Sequence, residues 1–341
     1  MGLPLVLAKY RPAIEAELRT ALAGGLPSLY GMLRYHLGWL DEQGRPSEGA
    51  AGKALRPTLC LLICEALGGS IRTALPAAAA VELLHNASLI HDDIQDGDRE
   101  RRHRPAVWAL WGAAQALNAG NALASLATLS LQRLAQAGVP ATQRLRAHQL
   151  LHETCLSLVA GQCLDLGFER RLDVTVPEYL AMAERKTAAT IACALEMGGL
   201  LAGAAEPSLR ALRRCGRSFG LAFQIGDDLL GIYGDPAATG KPVGGDILRR
   251  KKTLPVVYAL EHASPAAQRR LAEIYAAPPG DGGAAADVTA ILSAAGARRY
   301  AQRQAEVHCA CAARALCGLA LPPWAAASLE ELARFLASRQ A

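Results

Sequence analysis

The sequence predicts an all-α protein, on three observations. Hydrophobic residues make up 51% of the 341-residue chain but aromatics only 5%, and the apolar content sits in long Ala and Leu runs with few β-branched clusters. Apolar positions recur at helical spacing nearly throughout. The interruptions are short: EQGRPSEG (42–49), DGDRERRHRP (96–105), AQAGVP (135–140), GDPAATGKPVGGD (234–246) and APPGDGGAAAD (277–287). None reads as an interdomain linker, so one domain over 1–341 is expected.

In chain order, MGLPLVLAKYRP has too short an apolar run and no basic lead for a secretory signal, and Val6 stands where a myristoylation pattern wants Ser or Thr. GKALRP (52–57) sets Lys53 and Arg56 three residues apart ahead of an apolar helix. The next apolar stretch runs into LIHDDIQDGDRE (89–100). Pro105 to Gln132 carries no charge, but Gln115, Asn118, Asn121, Ser125, Thr128 and Ser130 interrupt it, so a central bundle helix is expected and not a membrane span. ERKTAAT (184–190) opens another apolar helix, and FQIGDDLLGIYGD (223–235) echoes the first aspartate stretch. The segment 277–287 is expected to be a surface loop.

The net charge of +5 is modest and its basic residues are scattered or lie beside acidic motifs, which argues against nucleic acid as a partner. The nine cysteines lack metal-ligand spacing; Cys60, Cys64 and Cys193 fall on apolar helical faces, while Cys309 and Cys311 are one residue apart. Reduced core cysteines in a cytoplasmic protein are expected.

The chemistry concentrates at the aspartates. Asp92 and Asp96 are four apart, so on a helix they share one face about 6 Å apart, with Asp93 turned aside. Carboxylates without His or Cys favour Mg²⁺, which is commonly shared between a few carboxylates and substrate phosphates. Arg99, Arg101, Arg102 and Arg104 follow at once, a guanidinium cluster suited to phosphate. Together they indicate a diphosphate. Asp227 and Asp228, adjacent in an apolar helical run, need the same compensation by cations or donors.

These motifs, in the order GKALRP, HNASLIHDDIQDGDRERRHRPAVW, GQCLDL, RKTAA and FQIGDDLLGIYGDPAATGKPVGGDILRRKKTLP, resemble the trans-isoprenyl diphosphate synthase (polyprenyl synthetase) family, and within it bacterial geranylgeranyl diphosphate synthases. The match covers about residues 50–260. It implies a large isoprenoid synthase-type helical bundle around a central cavity. The implied activity is a Mg²⁺-dependent prenyltransferase that condenses isopentenyl diphosphate head-to-tail with allylic diphosphates, using three ions once substrate is bound, in a cytoplasmic homodimer with no stable membrane insertion. By position, Asp92, Asp96 and Asp227 bind metal, with Asp228 assisting through water and Asp93 in the same motif. Arg101, Lys186, Thr187, Gln224, Lys241 and Lys251 hold the allylic diphosphate. Lys53, Arg56, His85 and Arg102 hold isopentenyl diphosphate, and Asp246 orients neighbouring lysines. Lys186 and Lys241 count with the aspartates as catalytic.

Product length follows from small side chains one turn before Asp92. Ser88 and Ala87 leave room where shorter-product relatives carry aromatics, so the chain is expected to stop deeper, near Leu84, at C20. The sequence departs from the family at Gly231, where many relatives have a third acidic residue, at His103 and Ala51, where Gly is common, and at Asn121, where many have Asp. Gly231→Asp is expected to change little. Two other readings are a terpene cyclase on the same scaffold, opposed by Lys53, Arg56 and Arg102, and a non-catalytic subunit, opposed by the intact DDIQD.

Overall fold

The computed structural model describes residues 4–47, 52–234, 245–277 and 282–338. The expected all-α bundle is observed: α1 (Leu5–Ala21), α2 (Pro27–His36), α3 (Leu55–Ala66), α4 (Ile71–Gln95), α5 (Val107–Gln132), α6 (Ala141–Glu169), α7 (Val176–Ala183), α8 (Ala189–Leu201) and α9 (Glu206–Tyr233). Helices Gly245–Leu248, Leu254–His262, Pro265–Ala276, Gly282–Ala294, Ala297–Leu316 and Pro323–Ser338 follow. Between α4 and α5 the two short strands Glu100–Arg101 and Arg104–Pro105 pair antiparallel.

The centre is α8, buried on every side from Thr190 to Leu201, which is the pattern of a core helix. It packs on α3, α4, α6 and α9, while α4 lies along α5. Small residues allow this closeness, since Ala74 and Ala77 to Ala80 of α4 are all buried. Helix Ala297–Leu316 covers the outer side of α9.

α5 is helical where the uncharged run predicts, with a kink at Gly112, whose φ of 79° favours glycine. Among the described residues, no helix is long and apolar enough to cross a membrane. The stretch 277–287 departs from the expected loop: Gly282–Ala294 is helical, because the Ala run after the two glycines has high helix propensity. The cysteines are all free thiols, but only Cys60, Cys64, Cys193 and Cys215 are buried, and Cys163 and Cys317 are exposed. Residues 235–244 and Ala51 lie outside the described set, so Lys241 does too.

Candidate active site

Two helices bring the aspartate motifs into one cleft. The last turns of α4 carry Ser88, Asp92 and Asp96, and α9 carries Gln224, Asp227 and Asp228. Between them comes a π-helical turn, Glu184–Ala188, which widens the helix where Lys186 and Thr187 project. Gly161 of α6 makes the turn possible, since a Cβ there would lie 2.7 Å from Lys186 Cα.

Ion pairs cross the cleft. Lys186 Nζ lies 2.5 Å from Asp165 Oδ2 and 3.1 Å from Asp92 Oδ1, and Lys251 Nζ lies 2.8 Å from Asp96 Oδ2. Burial works to lower both lysine pKa values, but the facing carboxylates outweigh it and raise them, chiefly Asp165 for Lys186 and Asp96 for Lys251. Asp96 mirrors this: burial would raise it, yet Lys251 holds it below its ordinary value. Arg249 pairs with Asp98 at 2.6 Å, fastening the segment after residue 245 to the loop after α4.

Asp93 has a different neighbour. It is buried, accepts from Arg101 Nε at 2.6 Å, and is raised to about 6 by burial against the opposing pull of Arg101. Asp93 and Arg101 thus brace each other. Asp228 is also turned from the cleft. Tyr179 Oη and the Leu254 amide donate to its Oδ2, the latter at 2.8 Å, and Gln224 Nε2 donates to Oδ1 at 3.0 Å. Burial lifts it to about 7. Through these three donors Asp228 ties α9 to α7 and to the start of Leu254–His262.

The second cationic group assembles behind α4. Arg56 is buried and donates from Nε to Thr190 Oγ1 at 2.8 Å, and Gly52 sits where a Cβ would meet Arg102 Nη2 at 2.7 Å, which brings GKALRP against RRHRP. Arg102 and His103 form the tip of the hairpin with φ of 55° and 60°, a left-handed pair that costs non-glycine residues about 1 kcal/mol each. His85 joins this group. Burial first, then Arg56 and Arg102, keep it well below its ordinary pKa and therefore neutral. Beneath the arginines lies Glu82, 6% exposed, whose Oε1 accepts from Asn86 Nδ2 at 3.1 Å. Burial raises Glu82 while Arg56 and Arg102 oppose it. Thr187 Oγ1 donates to Gln224 Oε1 at 2.6 Å, linking the π turn to α9.

Ion pairs and hydrogen bonds thus connect Asp92 and Asp96 to Lys186 and Lys251, and Thr187 to Gln224, with Arg56, His85 and Arg102 grouped by charge; Asp227 follows Gln224 by three residues on α9, and its charge reaches Arg56. Asp165, Glu82 and Asn86 were not anticipated as site residues. Asp165 had a signal, standing four residues after Gly161 in GQCLDL and so on the same helical face. Glu82 had one too, as a lone acid in an apolar helix.

Hard oxygen donors fit a divalent cation such as Mg²⁺. Asp92 Oδ1 is buried and faces the Lys186 ammonium at 3.1 Å without a well-directed hydrogen bond. Among the described residues no three His, Cys, Asp or Glu side chains form a ready-made cage, so other oxygens must complete any coordination shell.

The polyprenyl synthetase family model matches residues 38–292. The chain belongs to the polyprenyl synthetase family. Its relatives include (2E,6E)-farnesyl diphosphate synthase of Mycobacterium tuberculosis, 45% identical over 319 residues covering 92% of this chain and 87% of the relative. Geranylgeranyl diphosphate synthase of the same organism is 43% identical over 314 residues, 91% and 88% of the two chains. The crystal structure of a polyprenyl synthetase from Streptomyces coelicolor A3(2) superposes with a TM-score of 0.91 at 38% identity, covering 98% and 99%. That of geranylgeranyl pyrophosphate synthase from Corynebacterium glutamicum, complexed with isoprenyl diphosphate and magnesium, superposes at 0.83 with 27% identity, covering 99% and 100%. This polyprenyl synthetase is accordingly a trans-prenyltransferase, and its relatives span more than one product length.

Proposed function

We propose that this prenyltransferase condenses isopentenyl diphosphate with allylic diphosphates and releases mainly the all-trans C20 diphosphate. The reading is carried by the lysines that face the first aspartate motif, Lys186 on Asp92 and on Asp165 of α6, and Lys251 on Asp96. An arriving diphosphate offers both lysines a denser anion than a single carboxylate. They turn to it, and Asp92 and Asp96 are left to the metal side. Asp92, Asp96 and Asp227 would hold Mg²⁺, as three ions with substrate present, and the metal would supply Lewis-acid neutralisation of the departing diphosphate.

The chain's own groups do the rest. Lys186, Lys251 and Lys241 stabilise negative charge growing on the leaving group as the allylic C–O bond ionises. Arg101, Thr187 and Gln224 orient the allylic diphosphate. Lys53, Arg56 and Arg102 fix the isopentenyl diphosphate, with neutral His85 as a hydrogen-bond donor, so that its double bond faces the cation. No side-chain base is assigned, and the released diphosphate takes the proton. A cyclase would have no use for Lys53, Arg56 and Arg102, and a non-catalytic subunit would not keep the DDIQD carboxylates.

Ser88 and Ala87 support the C20 length. Ala87 is buried and small, Ser88 Oγ is occupied with the His85 carbonyl at 2.7 Å, and Leu84 is buried two turns before Asp92. Incubation with Mg²⁺, isopentenyl diphosphate and dimethylallyl, geranyl or farnesyl diphosphate should yield geranylgeranyl diphosphate; a cyclised hydrocarbon or no product rejects the reading. Ser88→Phe should shorten the product to C15 or C10, and an unchanged product rejects the pocket placement. We also propose a cytoplasmic homodimer joined through α5 and α6.

A further inference from the structure

The two aspartate motifs differ at one position. In the first, Asp92 is followed one helical turn later by Asp96, giving a pair of carboxylates on one face. In the second, the residue one turn after Asp227 is Gly231. The space is not empty. A Cβ at Gly231 would lie 2.6 Å from Cγ of Asp246, 3.3 Å from its Oδ1 and closer still to its Oδ2. Short helix Gly245–Leu248 packs on α9 and delivers this carboxylate to the place where a side chain at 231 would begin.

We infer that Asp246 supplies the second wall with the carboxylate that position 231 lacks. The inference rests on the proposed metal-diphosphate reading of the cleft. Glycine at 231 is what admits it, since any Cβ would push the Asp246 carboxylate away. The main chain of Asp246 serves the other wall: its carbonyl accepts from the Lys251 amide at 3.0 Å, and Lys251 Nζ holds Asp96. Asp246 is half-buried, and its charge is felt by Lys251, the lysine that faces Asp96. One residue thereby sets a carboxylate beside α9 and positions the lysine facing α4.

On this inference Gly231→Asp is not silent. It forces a second carboxylate into occupied volume beside a like charge, so it should harm the site.

The test relocates the charge. Wild type, Asp246→Ala, Asp246→Asn, Gly231→Asp and the double variant Gly231→Asp with Asp246→Ala are titrated with Mn²⁺ in the presence of inorganic pyrophosphate, bound ion being read by electron paramagnetic resonance. Thermal melts check folding. Loss of Asp246 charge should weaken ion binding about 10- to 100-fold in both the Ala and the isosteric Asn variants, with melting preserved. Gly231→Asp alone should also weaken it, and the double variant should recover most of the loss. Wild-type binding by Asp246→Asn, or a double variant no better than Asp246→Ala, overturns the inference. Asp92→Asn separates the two levels: if it binds as wild type, the metal reading itself fails, whereas if it loses binding while Asp246→Asn does not, only the role of Asp246 fails.

Discussion

Asp227 and Asp228 are one residue apart and about 100° apart around α9. That rotation separates their roles. Asp228 holds the Leu254 amide and the Tyr179 hydroxyl inside the protein, so Asp228→Ala leaves two buried donors without an acceptor and should cost about 3 kcal/mol in denaturant unfolding. Asp228→Asn, which still offers one carbonyl oxygen, should cost less. If Asp228→Ala instead left stability intact and weakened Mn²⁺ binding, the carboxylate would belong to the cleft after all. Sequence could show that the pair lies in an apolar helical run and needs compensation; the structure buries Asp228 and leaves Asp227 half-buried. It could not show which partner faces which way, because Tyr179 and Leu254 lie 49 and 26 residues distant and only the packed chain brings them in. The same holds for Asp93, whose place under Arg101 depends on the hairpin that follows it.

At the scale of elements, the π turn that carries Lys186 hangs from α7, and α7 begins with a capping box. The Thr175 amide and hydroxyl donate to Glu178 Oε2 at 2.9 and 2.8 Å, and the Glu178 amide donates back to Thr175 Oγ1. Thr175→Ala should destabilise by about 1 kcal/mol in calorimetry. Hydrogen bonds from Arg171 first, then from Thr175, hold Glu178 down to about 2, below its ordinary value of 4.5. A depressed acid stabilises the fold above its unfolded pKa and loses that contribution as pH falls through the folded one. The melting deficit of Glu178→Gln should therefore be full above pH 4.5 and shrink as pH falls towards 2; a deficit that grew on acidification would contradict it. TVPE advertises this cap in the sequence, as Ala and Leu runs advertise the helices. The π turn has no such local mark. It arises where the packing of Gly161 against Lys186 meets the continuation into α8, a tertiary circumstance. The Ala-rich start of Gly282–Ala294 was obscured for the opposite reason, its glycines outweighing helix formers in a short window.

Over the whole molecule, charge gathers in the cleft and apolar surface gathers elsewhere. On α5 and α6, Leu117 is 47% exposed, Leu129 52%, Leu156 71% and Val159 52%, joined by Leu110 and Trp111. Exposed leucines on two long helices are the composition of an interface core, and α5 carries no charge to oppose burial. A stable homodimer would need to bury about 1,200–2,000 Å² there. Because Leu156 makes little contact within its own chain, Leu156→Glu should leave helicity by circular dichroism unchanged while placing a charge between two apolar faces. Sedimentation equilibrium should then show wild type as a dimer and Leu156→Glu shifted to monomer at micromolar concentration, whereas a monomeric wild type, or a variant that stays dimeric, would mean that this face is not the contact. α4, whose last turns carry Asp92 and Asp96, packs along α5, so splitting the dimer is also expected to lower turnover through looser support of α4, with Mn²⁺ binding reduced less than by Asp92→Asn.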